Sequence, residues 1–175
     1  MLIVTASLTP AETVELRGLA AGLELRMDNA IDVMESTSSD PEVQQTRFLS
    51  LVDEAHMGIP EDADMGKRDV AREILQEHSD VASIFFLTPD GNLYMGEPYE
   101  QQAQLPRLNY SDRDWYQGVS STNDAYTSSV FMSAAIHEPA VAVAVPVESE
   151  SETIGYWVAI ISLEEVEKVL KDRVI

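Results

Sequence analysis

Hydrophobic residues recur every three or four positions in the first part of the chain. Leu16, Leu19, Leu23, Met27, Ile31 and Met34 form one apolar stripe, which predicts a long amphipathic helix. Its start signal is Thr9-Pro10-Ala11-Glu12: Thr9 caps, Pro10 suits the first helical position, and Glu12 reaches back to close a capping box. The polar run Ser36-Thr37-Ser38-Ser39 predicts its end. Asp40-Pro41 predicts a second, weaker helix to about Val52, and residues 56–66 read as an acidic loop around Gly58 and Pro60. A third helix is expected over 67–78, burying Val70, Ala71, Ile74 and Leu75.

At Val81 the period changes. VASIFFL is a short, nearly continuous apolar run rich in β-formers, and it meets Pro89-Asp90-Gly91-Asn92, so a strand enters a tight hairpin and residues 92–95 pair back. Residues 98–110 form a polar connection containing Pro106. Three more strand-like runs follow at 125–133, 140–147 and 154–161, separated by IHEP and ESESET. Ser162-Leu163-Glu164-Glu165 then repeats the capping-box pattern and starts an exit helix with Leu163, Val166 and Leu170 inward. Five antiparallel strands covered by helices make an α+β fold.

Charge narrows the partners. With 31 Asp and Glu against 11 Lys and Arg, the formal charge of −20 repels phosphate backbones and anionic lipids, which argues against nucleic acid as a partner. Such acid excess, with Lys67, Lys168 and Lys171 the only lysines, is the composition of a halophilic protein; a melt across a salt series tests this expectation. There are no cysteines, so disulfide and thiolate chemistry are excluded. No apolar run is long enough to span a bilayer. The apolar ends, LIV after Met1 and Val174-Ile175, fit either native termini or a fragment cut between two membrane spans.

The heptapeptide DRDWYQG, residues 112–118, carries the candidate chemistry. Ser111-Asp112-Arg113-Asp114 fits another capping box, with Ser111 as cap and Arg113 in the first helical turn. A cation there costs about 0.3–1 kcal/mol against the helix dipole. Two uses of Arg113 fit. The flanking aspartates neutralise it, or the guanidinium and the free N–H groups of the helix start together hold a carboxylate. Trp115 and Tyr116 are then core aromatics in the first case, and apolar walls with a hydroxyl in the second.

The run NYSDRDWYQGVSSTNDAYTSSVFMSAAIHEPAVAVAVPV, with PDG upstream and IGYWVAIISLEEV downstream, resembles the Cache domains, PAS-like extracellular sensor modules of histidine kinases and chemoreceptors. The resemblance covers the chain from residue 81 on, and the long first helix matches the family's layout. It implies a PAS-like five-stranded antiparallel sheet flanked by helices, with the helix over 1–38, a sensor core over 39–162 and a signalling helix over 163–175. Arg113, Trp115 and Tyr116 match the family's R-x-W-Y ligand motif. In relatives that bind amino acids, a tyrosine and an aspartate hold the ligand's ammonium; the positions aligned with them are Phe131 and Ile160. An unpaired buried ammonium costs several kcal/mol, about 3–5, so a small organic acid or other anion is expected instead. Strand alternation places Ser129, Phe131 and Ser133 on one face, adding two serines to the expected ligand-binding set.

Other constellations are weak. His56, His78 and His137 lack metal-ligand spacing, and Glu61-Asp62-Ala63-Asp64 reads as a solvated charge run rather than a calcium loop. No nucleophile elbow or phosphate-cradling glycine loop occurs. The expectation is therefore a non-catalytic, cofactor-free sensor in the extracellular or periplasmic part of a two-component receptor, with a sensor histidine kinase as its setting. Membrane contact would come only through flanking spans, and the apolar stripe suits a parallel homodimer. A ligand-free dimerisation or signal-transmission module is the alternative.

Overall fold

The long helix α1 (Pro10–Ser38) starts on the expected capping box, with Thr9 Oγ1 accepting from Glu12 N–H and Glu12 reaching back to Thr9 N–H. The computed structural model describes residues 8–171, and side chains through Lys168; both apolar ends and the Leu170 side chain lie outside the described residues. At 29 residues, α1 is about 43 Å long. Burial grows along its stripe. Leu16 and Leu19 are half exposed, Leu23, Met27 and Ile31 pack partly on the core, and Met34 is fully buried. The helix outlasts the expected break at Ser36 because Ser36, Thr37 and Ser38 turn their hydroxyls onto carbonyls one turn back.

The helix expected over residues 41–52 does not form. Val43 and Gln44 both donate to Asp40 O, Asp40 Oδ1 takes Glu42 N–H at 2.8 Å, and Phe48 N–H goes to the Tyr94 hydroxyl at 3.2 Å. The Gln44 bond closes a single helical turn, but Phe48 N–H is committed to Tyr94, and beyond it this connector holds one 3-10 turn, Leu49–Leu51.

Helix α2 (Met65–Glu77) buries Ala71 and Ile74 as expected, with Val70 and Leu75 half-buried. It also buries Lys67 and Arg68, which periodicity did not indicate. Arg68 uses its donors on Ala63 O, Gly96 O, Ile59 O, Pro60 O, Gln102 Oε1 and, at 2.9 Å, Glu97 Oε1. One guanidinium thereby shapes the loop before α2. Asp64 corrects the reading of that loop as a solvated run: it is 4% exposed and accepts from the Tyr94 hydroxyl at 2.7 Å.

The strands are β1 (Val81–Leu87), β2 (Leu93–Glu97), β3 (Tyr126–Thr127), β4 (Phe131–Met132), β5 (Pro139–Ser149) and β6 (Glu152–Ser162). The antiparallel sheet has the order β2-β1-β6-β5-β3, with β4 also paired to β5. The expected run at 125–133 is thus broken in two. Ser128 Oγ takes Ala142 N–H at 2.8 Å and donates to Ser129 O, interrupting the ladder with a side chain. The polar connection at 98–110 contains a short helix, α3 (Tyr99–Ala103).

Alternation sorts the sheet into two faces. Ile84, Phe86, Val143, Val145, Trp157 and Ile161 join Met34 and Ile74 in one cluster, and Trp157 Nε1 donates to Thr37 Oγ1 at 3.0 Å. Phe85, Leu87, Leu93, Ala142, Val158 and Ile160 face the other way, toward α4 (Asp114–Thr122). The exit helix α5 (Glu164–Lys171) follows β6, and Glu165 pairs with Arg26 of α1 at 3.0 Å. Glu165 is well exposed, so this pair contributes less than about 1 kcal/mol.

Candidate functional site

The second face of the sheet is not packed solid. Between it and the start of α4 lies a partly open cavity of about 410 Å³, counting its mouth. Phe85, Leu87 and Ile160 rise from the sheet, Leu93 and Leu105 close one side, and Phe131, Ala134 and Ala135 form the opposite wall. Polar groups reach it from Tyr110, Arg113 and Ser133, and Trp115 lines it beside Arg113.

The hairpin turn positions these groups. Tyr110 N–H donates to Gly91 O at 2.8 Å, Leu93 N–H to Leu108 O at 2.9 Å, and Asn109 Nδ2 to Asp90 O at 3.0 Å. Gly91, at φ +86°, lies so close to Ser111 that a Cβ would meet its backbone nitrogen at 2.9 Å. Residues 108–113 are therefore laid against the turn, and α4 begins from there.

The local start of α4 differs from expectation. Arg113 is the residue before the first turn, in extended conformation at φ −74° and ψ 143°, and Ser111 does not cap. Asn109 Oδ1 takes both the Ser111 N–H and its hydroxyl, which removes Ser111 from the helix end. Asp114 Oδ1 takes Trp115 N–H at 2.8 Å instead.

Neither neighbouring aspartate holds Arg113. Asp112 pairs with Arg107 at 2.8 Å, and this bond lowers its pKa. Asp114 Oδ2 accepts from Ser129 N–H at 2.9 Å and Ser129 Oγ at 2.8 Å. Burial alone would raise the Asp114 pKa, but the bonds from Ser129 and Trp115 outweigh it and lower it. Among the described residues the Arg113 guanidinium has no carboxylate partner, and its Cζ stands 5.6 Å from the Phe131 ring centre. Among the described residues it is the only charged one lining the cavity.

Tyr110 supplies a second unmet group. Its hydroxyl is buried without any hydrogen-bond partner, and desolvation raises its pKa despite nearby Arg107 and Arg113. Leaving such a group unpaired costs about 1–3 kcal/mol. A ligand oxygen seated between Tyr110 and Arg113 would remove that cost.

Of the six residues expected at the site, four meet at the cavity: Arg113, Trp115, Phe131 and Ser133. The Ser133 hydroxyl already accepts from Ala135 N–H and Ile136 N–H, so it closes a turn. Tyr116 and Ser129 are placed outside. The Tyr116 hydroxyl donates to Pro89 O and its ring meets Tyr156 edge-on at 5.4 Å, while Ser129 is exposed and tied to Asp114. Both anchor α4. Ser129 leaves the face it was expected to share with Phe131 because the strand is broken at Ser128. Tyr110 and Leu105 were not singled out in the sequence. They end a polar stretch with no periodicity, and only the contact with the hairpin buries them.

No family model matches the chain, and no curated protein does. Solved structures show the fold. The ligand-binding domain of Mlp24 with asparagine is similar at a TM-score of 0.63 and 11% identity, over 89% of this chain and 57% of that one. The ligand-binding domain of the Pseudomonas aeruginosa PAO1 amino acid chemoreceptor PctC, in complex with GABA, gives 0.57 and 16%, over 92% and 62%. That of PctB from the same source, in complex with L-Arg, gives 0.51 and 21%, over 83% and 56%. The chain thus spans less than two thirds of each of these. Its fold is the one these ligand-binding domains share, an antiparallel sheet flanked by helices behind a long first helix.

Proposed function

We propose that this chain is the ligand-sensing module of a membrane receptor, that its cavity takes a small organic acid or other anion, and that the receptor is a sensor histidine kinase. One observation carries the reading: Arg113, with no carboxylate partner among the described residues, and Tyr110, whose hydroxyl is unpaired, line one largely apolar cavity. A carboxylate would take Arg113 through charge-assisted bonds and accept from Tyr110, with Trp115 and Phe131 against its carbon skeleton. Asparagine, arginine and GABA, named with the similar structures, each carry a carboxylate and an ammonium. Here no acid lines the cavity, so the ammonium would lack a counter-charge, which favours ligands without one.

On this reading the module faces the extracellular or periplasmic side, with residues 1–38 and 163–175 leading to flanking spans. It performs no catalysis and pairs through α1 with a second copy in parallel. Ligand seated against β1, β2 and β6 shifts the sheet, and β6 passes the shift directly into α5.

A thermal-shift screen tests it. Small mono- and dicarboxylates, amino acids and simple amines are added to the wild type and to Arg113→Ala. At 100 times Kd a ligand adds about 2.7 kcal/mol, several degrees in Tm for this size. A carboxylate should stabilise the wild type alone. Equal shifts in both proteins, or shifts from amines only, would overturn the proposal.

A further inference from the structure

Lys67 lies on the opposite face of the sheet from the cavity, with its side chain fully buried. Its Nζ sits 3.8 Å from the Phe86 ring centre and 4.7 Å from that of Tyr94, and donates to Gln45 O. An ammonium has three N–H donors, and among the described residues this is the one hydrogen bond it makes. Asp64 stands 3.8 Å away, too far for a hydrogen bond, and its carboxylate is taken up by the Tyr94 hydroxyl. Lys67 is also in the first turn of α2, where the helix dipole disfavours a cation. From the connector, Glu42 and Arg47 act on it with opposite signs while pairing with each other at 3.0 Å. Asp64 and Tyr94 complete the titratable groups around it.

The acceptor matters as much as the donor. Gln45 belongs to the connector that leaves α1, and Phe48, three residues on, hangs on the same Tyr94 hydroxyl that holds Asp64. Lys67 and Tyr94 therefore help clasp the connector behind α1 to the core, beside the bond that Gln44 Nε2 donates to Glu148 O. Alternation on β1 and β2 sets this clasp back to back with the cavity: Phe85, Leu87 and Leu93 face the cavity, while Phe86 and Tyr94 face Lys67.

We propose that Lys67 is a pH-responsive latch, which fastens the connector behind α1 to the core more tightly as a neutral amine than as an ammonium. Burial lowers its pKa from 10.5 to about 7, with Asp64 opposing and Arg47 assisting. The direction of the effect follows from linkage. An opened connector lets water reach Lys67 and restores its ordinary pKa, so the open form binds more protons between about pH 7 and 10.5. Raising the pH through that window closes the latch. Below about pH 7 both forms are charged and the effect is constant. The device gives the domain a proton input distinct from the ligand cavity and sharing two strands with it.

Hydrogen exchange on the whole chain tests this, read as protection factors so that intrinsic rates cancel. Between pH 7 and 9 the amides of Val43, Gln44 and Phe48 should gain protection about tenfold per pH unit, while those of α4, whose opening leaves Lys67 buried, should not. Lys67→Met should remove the dependence. Should that variant not fold, the wild type decides alone, because NMR of the Lys67 side chain must give a midpoint near 7. A Lys67 midpoint in the ordinary lysine range, a flat connector, or an equal rise in α4 that marks global opening would each overturn the proposal.

Discussion

Arg68 and Arg113 are both held against the sheet, yet one has every donor engaged and the other none. Arg68, wedged between α2 and β2, meets four carbonyls, Gln102 and Glu97. Arg113 meets a cavity and the face of Phe131. The difference separates two uses of a costly group. A buried cation whose geometry is complete organises the chain around it, whereas Arg113 stands half-buried at a cavity without a carboxylate partner among the described residues.

The largest expected effect breaks the saturated side. Arg68→Met leaves the Glu97 carboxylate buried with only the half-exposed Arg72 for a partner and strips several carbonyls. Unfolding in denaturant should show a loss of about 3–5 kcal/mol; a loss below about 1 kcal/mol would remove the contrast. On the open side, Tyr110→Phe deletes a hydroxyl that has no partner among the described residues. It should raise stability by about 1–3 kcal/mol, and it should weaken carboxylate binding. Arg113→Leu should stay within about 1 kcal/mol of the wild type in stability while abolishing the ligand-induced rise in Tm. A collapse of the fold instead would put Arg113 in the same class as Arg68.

A smaller effect concerns the tether of α4. Asp114 has a folded pKa below its ordinary value, so its bonds to Ser129 contribute stability above the usual carboxylate range. That contribution is lost as the pH falls through the folded pKa. The site is mostly solvated, so the loss should be under about 1 kcal/mol, and Asp114→Asn should flatten it in acid melts.

Much of the fold was legible. The Thr9 capping box, the stripe ending at Met34, the VASIFFL strand and the turn at Gly91 are local signals, and each formed where expected. Of the candidate site, Arg113 and Trp115 were legible through a short motif at a helix start, and Phe131 and Ile160 through their aligned positions. Tyr110 was not, because a tyrosine at the end of a polar loop looks the same whether its hydroxyl meets water or a cavity. Tyr116 was read as a lining residue from the motif, but its hydroxyl is drawn to Pro89 O of the hairpin; Ser129 was read as one because alternation assumes an unbroken strand, and the Ser128 hydroxyl breaks it. The helix expected at 41–52 stops after one turn for a related reason: the distant Tyr94 takes the Phe48 backbone donor.

Sequence alone determined the order and kind of most elements, the acidic surface and the placing of an arginine at the mouth of a helix, because periodicity, capping and charge act within a few residues. Only the tertiary structure decided which charges are buried. Asp64 reads as solvated, and nothing local marks Lys67 and Arg68 as buried, until α2, the loop before it and β2 close over them; Arg113 stays open between pairing with its aspartates and facing a ligand until those neighbours turn to Arg107 and Ser129. Desolvation and hydrogen-bond satisfaction depend on what packs from far along the chain, and no local pattern records that.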